Sequence, residues 1–578
     1  MVTPQFRDPI TFEVFKNALI GLADQMGLVM WRTSHSRAGM DFSTGLCDHL
    51  GRVLAQGNCL LLQVGSYSDV MTAVLRKFGD DIRPGDVYLF NDIDETAQHL
   101  PDHYMIKPCF DEDRLLGFGV STTHHADVGG LRPGSMDMSA TEIFQEGLQI
   151  PLVKLYDAGR RNDAVWDIMM RNSRFPGLYA GDLAGQLAGL SVAEAGLRKL
   201  ALRYTPDGIV HLGQELIDYT ERLSRTAIGS LPDGACEFVD MIDDDGVGFD
   251  PIPLKVRVEV SGEHIWVDWT GSAPQVPSAI NCHIGTTRSV SYGVVYGIVL
   301  GVLGIDMPNN HGFYELVSVH APEGTIVNPR RPAARAFRGP THYRLIDALF
   351  GALQPIAPDL VPAAGDGGSG RWNLYGTHPV KGRFVDTLGV AGSGWGGRPG
   401  MDGADTGSAY GANTARRPVE EAESLQLIRI DRLGYVPDTG GPGRWRGSLA
   451  VRADLRLLVD EADLELRMTR RTVPPYGLAG GRDGTRSVTT VNPGPDEQVL
   501  PSHAVLHLKR GDLLRHVHSG GGGFGDPFLR DPQAVLEDVL DEKLTAEYAR
   551  REYGVAIDTA GRRVDEELTA ALRTGHST

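Results

Sequence analysis

Glycine constrains this chain more than any other residue type. It supplies 72 of the 578 residues, about 12% where globular proteins average near 7%. The glycines follow no Gly-X-Y period, which excludes a collagen triple helix. A glycine inside a helix costs about 1 kcal/mol relative to alanine, so the content argues against a helical bundle or a coiled coil. The expectation is a mixed structure with many tight turns and close backbone approaches. Apolar residues at 41% and charged residues at 22% provide for a core and exclude a disordered chain. The length corresponds to two to four domains at roughly 150 residues each, or to one large fold with satellites.

Lys and Arg number 56 against 74 Asp and Glu, a formal net charge of −18. Such a surface argues against nucleic acid or an anionic membrane as the main partner, while leaving room for a local anion site. The five cysteines, Cys47, Cys59, Cys109, Cys236 and Cys282, form no CxxC pair. An odd number in a large chain fits a reducing compartment, so a cytoplasmic location is expected. Met1–Pro9 lacks the basic start and apolar stretch of a signal peptide. The most apolar runs, 290–304 and 345–362, read as buried core elements. The first is short and glycine-rich, and the second is interrupted by Asp347 and Asp359.

Periodicity orders the chain coarsely. Phe12, Phe15, Leu19, Leu22, Met26, Val29 and Met30 recur at helical spacing and predict an amphipathic helix over 10–32. The turn Arg83-Pro-Gly-Asp86 precedes the predicted strand 87–90, and 53–55 and 115–120 read as further short apolar segments. Leu183, Leu187, Leu190, Ala193, Leu197 and Leu200 give a second helical stripe, and 212–231 a third. From 236 the period shifts to two, with clear alternation over 256–260 and 265–269. The glycine-rich stretch 363–412 reads as loops, 425–518 as β-rich and 532–573 as surface helices. The resulting division is an N-terminal α/β region over 1–235, a central mixed-sheet region over 236–420, a β-rich region over 421–530 and a helical tail over 531–578. The fold class is mixed α+β and multidomain.

Three groups of residues could carry chemistry. Asp41, His99, Asp102 and His124, with His103, His125 and Asp127 beside them, collect potential metal ligands in the first quarter of the chain. Pro101 prevents a regular helix between His99 and Asp102, and His124-His125 follows a predicted strand, a rigid mount for a functional group. Two imidazoles and two carboxylates suit Zn²⁺, Mn²⁺ or Fe²⁺ better than Ca²⁺ or Cu⁺. Spacing alone equally allows these residues to sit in turns and bond to backbone, because they match no short metal motif. The loop Ser519-Gly-Gly-Gly-Gly-Phe-Gly-Asp526 could aim several N–H groups at an anion or could be a tightly packed buried turn. It lacks the Lys-Ser/Thr of a Walker A loop. No Gly-x-Ser-x-Gly elbow is present, and His342, His378, His503, His516 and His518 read as ordinary surface or core histidines.

Taken together, a series of phrases resembles the hydantoinase B/oxoprolinase family. They include Arg32-Thr-Ser34, Asp41-Phe-Ser43, His99-Leu-Pro-Asp102, His124-His-Ala-Asp-Val-Gly-Gly130, Pro133-Gly-Ser-Met136 and Glu142-Ile-Phe-Gln-Glu-Gly-Leu148. Further phrases are Asp268-Trp-Thr-Gly-Ser272, Pro308-Asn-Asn-His-Gly312, Asn413-Thr414, Asp438 to Gly447, Pro474 to Gly481 and Ser519 to Pro527. The resemblance runs from about residue 8 to 556, nearly the whole chain. It implies a metal-holding subunit that works with a hydantoinase A-like ATP-binding subunit in a hetero-oligomer, with ATP-Mg used by that partner. It also implies that Asp41, His99, Asp102 and His124 bind a divalent metal, with His125 and Asp127 as supporting or acid/base groups. The expected reaction is opening of a small cyclic amide such as a hydantoin, 5-oxoproline or a lactam, by attack of metal-bound hydroxide on an amide whose oxygen has been phosphorylated. Two alternatives are a subunit of an ATP-dependent ketone carboxylase and a non-catalytic partner of the ATPase subunit. The loop Ser36–Asp41 is shorter than the usual pattern, and Asn91–Gln98 departs from it. Both flank the expected metal and bear on substrate choice.

Overall fold

Asp8 starts the first helix: its carboxylate accepts from the N–H of Ile10, and Pro9 takes the first helical position, where no N–H is needed. The helix, α1 (Pro9–Thr33), buries Phe12, Phe15, Leu19, Leu22, Met26 and Met30 along one face, as the periodicity predicts. The structure, a computed structural model, describes residues 8–574 apart from 35–40, 58–62, 64, 94–96, 249–250, 369, 388–393, 413–416 and 496. Cys59, Asn413-Thr414, most of the short loop 36–41 and part of 91–98 therefore lie outside the described residues. The chain divides into two compact units, Met1–Ala235, Arg257–Arg338 and Gly411–Thr414 in one, Cys236–Val256, Gly339–Tyr410 and Ala415–Thr578 in the other.

The first unit is organised by a seven-stranded sheet. Its strands are β1 (Phe42–Asp48), β2 (Val53–Gln56), β3 (Val87–Phe90), β4 (Asp102–Asp111), β5 (Arg114–His124), β6 (Val153–Asp157) and β7 (Arg160–Arg161), in the order β2-β1-β5-β4-β3-β6-β7. Every pair is antiparallel. Helices α2 (Ser66–Phe78), α3 (Asp163–Asn172) and α4 (Pro176–Tyr204) are interspersed. Leu183, Leu190, Ala193 and Leu197 of α4 join the core residues of α1, with Leu46, Leu89 and Met105 from the sheet, in one apolar cluster. Glycine inside α4 is a packing device. A Cβ at Gly189 would stand 2.5 Å from Met30 Cγ, and one at Gly196 2.3 Å from Leu22 Cδ1, so these positions let α1 and α4 approach closely at the cost of helix propensity.

The chain continues through α5 (Pro206–Ile228), β8 (Gly234–Ile242), β9 (Ile252–Ser261), β10 (His264–Asp268), α6 (Ile284–Leu303), α7 (His311–Tyr314) and β11 (Val317–His320). Residues 257–261 of β9 pair antiparallel with β10, which runs parallel to β11. The apolar run 290–304 is the body of α6. This helix is long and apolar enough to cross a membrane, and 56% of its most apolar window is buried within the protein.

The second unit holds α8 (Gly339–Leu353), β12 (Arg371–His378), β13 (Gly382–Thr387), α9 (Val419–Ser424), β14 (Ile428–Val436), β15 (Ala450–Leu457), β16 (Glu461–Arg467), β17 (Val488–Val491), β18 (Gln498–Val499), β19 (His503–Lys509) and β20 (Leu513–Val517). They form the sheets β13-β12-β16-β19 and β14-β15-β20-β17-β18. The stretch 363–412 is thus not all loop: β12 and β13 make a hairpin in register from Asn373↔Thr387 to His378↔Gly382. Trp372 and Leu374 of β12 bury into the apolar core of this unit, a signal hidden by the surrounding glycines. The tail forms α10 (Pro532–Leu540), α11 (Ala546–Tyr553), the short hairpin β21 (Ile557–Asp558) and β22 (Arg563–Val564), and α12 (Glu566–Thr574), with its own small core around Val535, Leu544, Ala549 and Tyr553.

Glycine-rich segments of the second unit lie against one another with no room for side chains. The N–H groups of Gly521, Gly522, Gly523, Phe524 and Gly525 donate to the carbonyls of Ser448, Ala364, Arg482, Trp445 and Leu478, at 2.9–3.0 Å. Gly520 N–H reaches Thr485 Oγ1. The N–H groups of residues 520–525 are thus all committed to the protein, so this glycine run is a packed architectural segment.

Buried charge also holds this unit together. Fully buried Arg470 donates from Nη2 to Asp347 Oδ2 at 2.6 Å and to Asp240 Oδ2 at 3.2 Å. Removing one partner of a buried ion pair costs about 3–5 kcal/mol. Arg470→Ala, which leaves Asp347 and Asp240 the longer ion pairs to buried Arg344 at 3.4 and 3.9 Å, is therefore expected to destabilise by about 3 kcal/mol, the lower end of that range, read as a lowered denaturation midpoint. A midpoint within error of the parent would refute the pairing.

Candidate metal centre

Strand pairing assembles the site. Asp102 opens β4, His124 closes β5, and the two residues are directly opposed in the register. On the other side of β5, Phe42 of β1 opposes Thr123, and the N–H of His124 donates to the carbonyl of Asp41 at 3.1 Å. Asp41, His124 and Asp102 therefore occupy one rank across three neighbouring strands. Directly opposed residues of an antiparallel pair lie on the same face of the sheet. His99 arrives from the turn before β4, closed by Asp102 N–H on the His99 carbonyl at 3.0 Å. Buried Asn91 anchors that turn, donating to the carbonyls of Leu100 and Leu148 and accepting from Ile150 N–H.

The side chains of His99, Asp102 and His124 converge, with ligand atoms all within 4.8 Å of one another. Asp102 Oδ1 lies 2.9 Å from His99 Nε2 and 3.3 Å from His124 Nδ1, and the two imidazole nitrogens are 3.2 Å apart. All three residues are buried. The Asp41 carboxylate is not one of these mutually close atoms; its residue adjoins the group through the main chain.

Electrostatics prepare the group for a cation. Burial first, and then the positive charge of Arg338, push His99 down to about 4, so its ring is neutral at neutral pH. Burial raises the Asp102 carboxyl, but the positive charge of Arg338 beside it outweighs this and holds it well below the ordinary carboxylate range. His99 Nδ1 lies 2.9 Å from the carbonyl oxygen of Ala336. A carbonyl only accepts, so Nδ1 carries the proton and Nε2 turns its lone pair toward the Asp102 oxygen. Two acceptors at 2.9 Å repel, a conflict that a divalent cation held by both would resolve. The donor set of two imidazoles and a carboxylate fits Zn²⁺, Mn²⁺ or Fe²⁺.

The other residues expected at the site are placed differently. His125 is fully buried beside α4, its Nε2 3.1 Å from Gln186 Oε1 and its ring against those of His103 and Tyr179. Burial pushes it down to about 4. Asp127 accepts from the N–H groups of Gly129, Gly134 and Arg174 and from the Arg174 guanidinium, which closes the loop after β5. In that loop Gly129 and Gly130 have φ of +94° and +84°, a region that favours glycine. Sequence spacing gives no sign of Arg338, whose Nη2 donates to Asp102 Oδ2 at 3.0 Å and to Gln98 Oε1 at 3.1 Å. It lies 236 residues from Asp102, and only the fold brings the two together.

The family model for hydantoinase B/oxoprolinase matches residues 8–527. This protein belongs to the hydantoinase B/oxoprolinase family. It is 32% identical over 586 residues to a putative D-/L-hydantoinase B subunit from Pseudomonas sp. (strain NS671), covering 98% of both chains. Its fold superposes on the crystal structure of ATP-dependent caprolactamase from Pseudomonas jessenii with a TM-score of 0.91 at 31% identity, covering 99% of this chain and all of the other. Acetone carboxylase in its nucleotide-free structure shares the fold, with a TM-score of 0.88 at 18% identity over 98% of this chain and 83% of that one. As a family member, the hydantoinase B-type chain is related to subunits of ATP-dependent cyclic amide hydrolases and of carboxylases.

Proposed function

We propose that this protein is the metal-holding subunit of an ATP-dependent cyclic amidohydrolase that opens hydantoin, 5-oxoproline or lactam rings together with a hydantoinase A-like ATP-binding subunit. The observation that carries the reading is the convergence of His99, Asp102 and His124 at the end of a strand rank that also includes Asp41. Its support is full-length similarity to a hydantoinase B-type chain and to caprolactamase. An amide carbonyl is a poor electrophile, and phosphorylation by the ATP-using partner turns its oxygen into a leaving group. A divalent cation held by Asp41, His99, Asp102 and His124 would lower the pKa of a water to about 7 and so supply the nucleophile.

The remaining work falls to the chain itself. Neutral His99 offers a nitrogen lone pair, His124 brings a second imidazole, and ionised Asp102 supplies the negative charge. Arg338 fixes the Asp102 carboxylate from the far side. His125 and Asp127 orient the end of β5 and the loop after it through Gln186 and Arg174. A cytoplasmic setting suits Cys47, Cys109, Cys236 and Cys282, which are all free thiols.

The test incubates this chain and the ATP-binding subunit with ATP and either cyclic amides or a ketone with labelled bicarbonate. Ring opening coupled to phosphate release is expected. Incorporation of label into a carboxylated ketone would instead make it a carboxylase subunit. Cyclic amide opening by the partner alone would make this chain a non-catalytic companion.

A further inference from the structure

The segments 142–148 and 331–338 are held edge to edge beside the candidate metal centre. Glu142 and Ala333 form an antiparallel bridge, Ile143 N–H donates to the Pro332 carbonyl at 2.7 Å, and the Arg331 guanidinium lies 5.4 Å from the Phe144 ring centre. At the inner end, fully buried Glu146 accepts with one oxygen, Oε1, from the N–H groups of Arg335 at 2.5 Å and Ala336 at 2.7 Å. Its second oxygen, Oε2, has no hydrogen-bond partner among the described residues. Two successive N–H groups that converge on one acceptor fix the backbone locally. The next peptide is fixed as well, by Phe337 N–H on the Ala279 carbonyl at 3.0 Å. The carbonyl of that peptide, Ala336 O, faces His99 Nδ1 at 2.9 Å.

We propose that Glu146 is a positioning residue for the metal centre: by holding the N–H groups of Arg335 and Ala336 it aims the Ala336 carbonyl at His99 and fixes the tautomer that presents Nε2 to the metal. The inference rests on the metal-centre reading above. The same segment ends in Arg338, which grips Asp102, so one stretch of chain orients two ligands. Burial pushes the Glu146 carboxyl up to about 8, against the opposing pull of the two backbone N–H groups. Because Oε1 alone takes both N–H groups, Glu146 acts as a hydrogen-bond acceptor, and a glutamine amide oxygen can take its place.

The experiment measures Zn²⁺ affinity of the full-length chain by competition with a chromophoric chelator, with thermal melting of the metal-free proteins alongside. Outer partners of metal ligands typically contribute 10–100-fold in affinity, so Glu146→Ala is expected to bind Zn²⁺ about 10–100-fold more weakly. Glu146→Gln is expected to stay within about threefold of the parent, because its amide oxygen still accepts both N–H groups. Parent-like affinity in Glu146→Ala overturns the proposal. So does a loss in Glu146→Gln as large as that in Glu146→Ala, since charge or direct ligation would then be what matters. Should Glu146→Ala fail to fold, Glu146→Gln decides: retained affinity upholds the acceptor role, and weakened affinity overturns it. A parent protein that binds no Zn²⁺ overturns the metal-centre reading itself, and the proposal with it.

Discussion

Asp102→Ala is expected to yield protein without bound metal that is also about 3–5 kcal/mol less stable than the parent when both are metal-free. The two effects have separate causes. Asp102 Oδ1 faces both imidazoles, so its loss removes the carboxylate at the centre of the ligand set. Asp102 Oδ2 is the counter-ion of Arg338, whose side chain is 8% exposed, and truncation leaves that guanidinium buried without its carboxylate. His124→Ala separates the effects, because it removes a ligand and strands no charge. It should lose metal with a much smaller fall in the metal-free melting temperature. The measurements are elemental analysis of the purified proteins and denaturation after chelation, which removes the stabilisation that bound metal gives the native state. Stoichiometric metal in Asp102→Ala would sink the ligand assignment, and equal metal-free stability would sink the Arg338 pairing. The sign of the pH dependence follows from the depressed Asp102 carboxyl. Stability from the pair is fully present above the unfolded carboxylate value of about 3.9. It is lost as pH falls through the lower folded value.

Residue types and local geometry make part of this site legible in the sequence alone. Pro101 between His99 and Asp102 marks a bend, and His124 stands at the end of a predicted strand. What spacing does not convey is register. Asp102, His124 and Asp41 come together because β4, β5 and β1 are neighbours and start or stop at the same edge, and strand neighbourhood is decided by packing of the whole sheet. The supporting residues are less legible still. Ala336 and Arg338 lie 237 and 236 residues from His99 and Asp102, and an arginine in Arg-Ala-Phe-Arg reads no differently from any surface arginine. Glu146 stands inside one of the family's phrases, yet its acceptor role emerges only once the backbone it holds is in place.

The fold shows the same division. Strong local signals, such as the apolar stripe of α1 and the alternation over 256–260 and 265–269, give the right elements. The hairpin β12–β13 escapes notice because glycine on both sides mimics a loop. Glycine inside α4 likewise argues against a helix on propensity, while packing against Met30 and Leu22 requires it. In both places tertiary contact overrides the local rule.

Gly522→Ala is expected to abolish folding of the second unit, because added bulk at that point meets only backbone. A Cβ there would sit 2.0 Å from the Tyr476 carbonyl oxygen, 2.6 Å from its carbon and 3.1 Å from Gly477 N. Ordinary overpacking costs about 1–3 kcal/mol because neighbouring side chains change rotamer. Here no side chain can yield, and Gly522 N–H is tied to Ala364 O while Gly522 O accepts from Gly397 N–H. Moving the segment would break these bonds together with those of Gly521 and Gly523 beside it. The cost therefore exceeds the ordinary range and reaches the lower end of the ~5–15 kcal/mol margin of a whole domain. Gly434→Ala in β14 of the same unit is the matched control. No atom lies within 4 Å of its Cβ position, and its φ is not positive, so it should fold and melt like the parent. Soluble yield, circular dichroism and limited proteolysis of the two variants decide the matter. A Gly522→Ala protein as stable as Gly434→Ala would mean that the glycine segments are not in backbone contact. Failure of Gly522→Ala alone would locate the source of the glycine excess in the close packing of main chain on main chain.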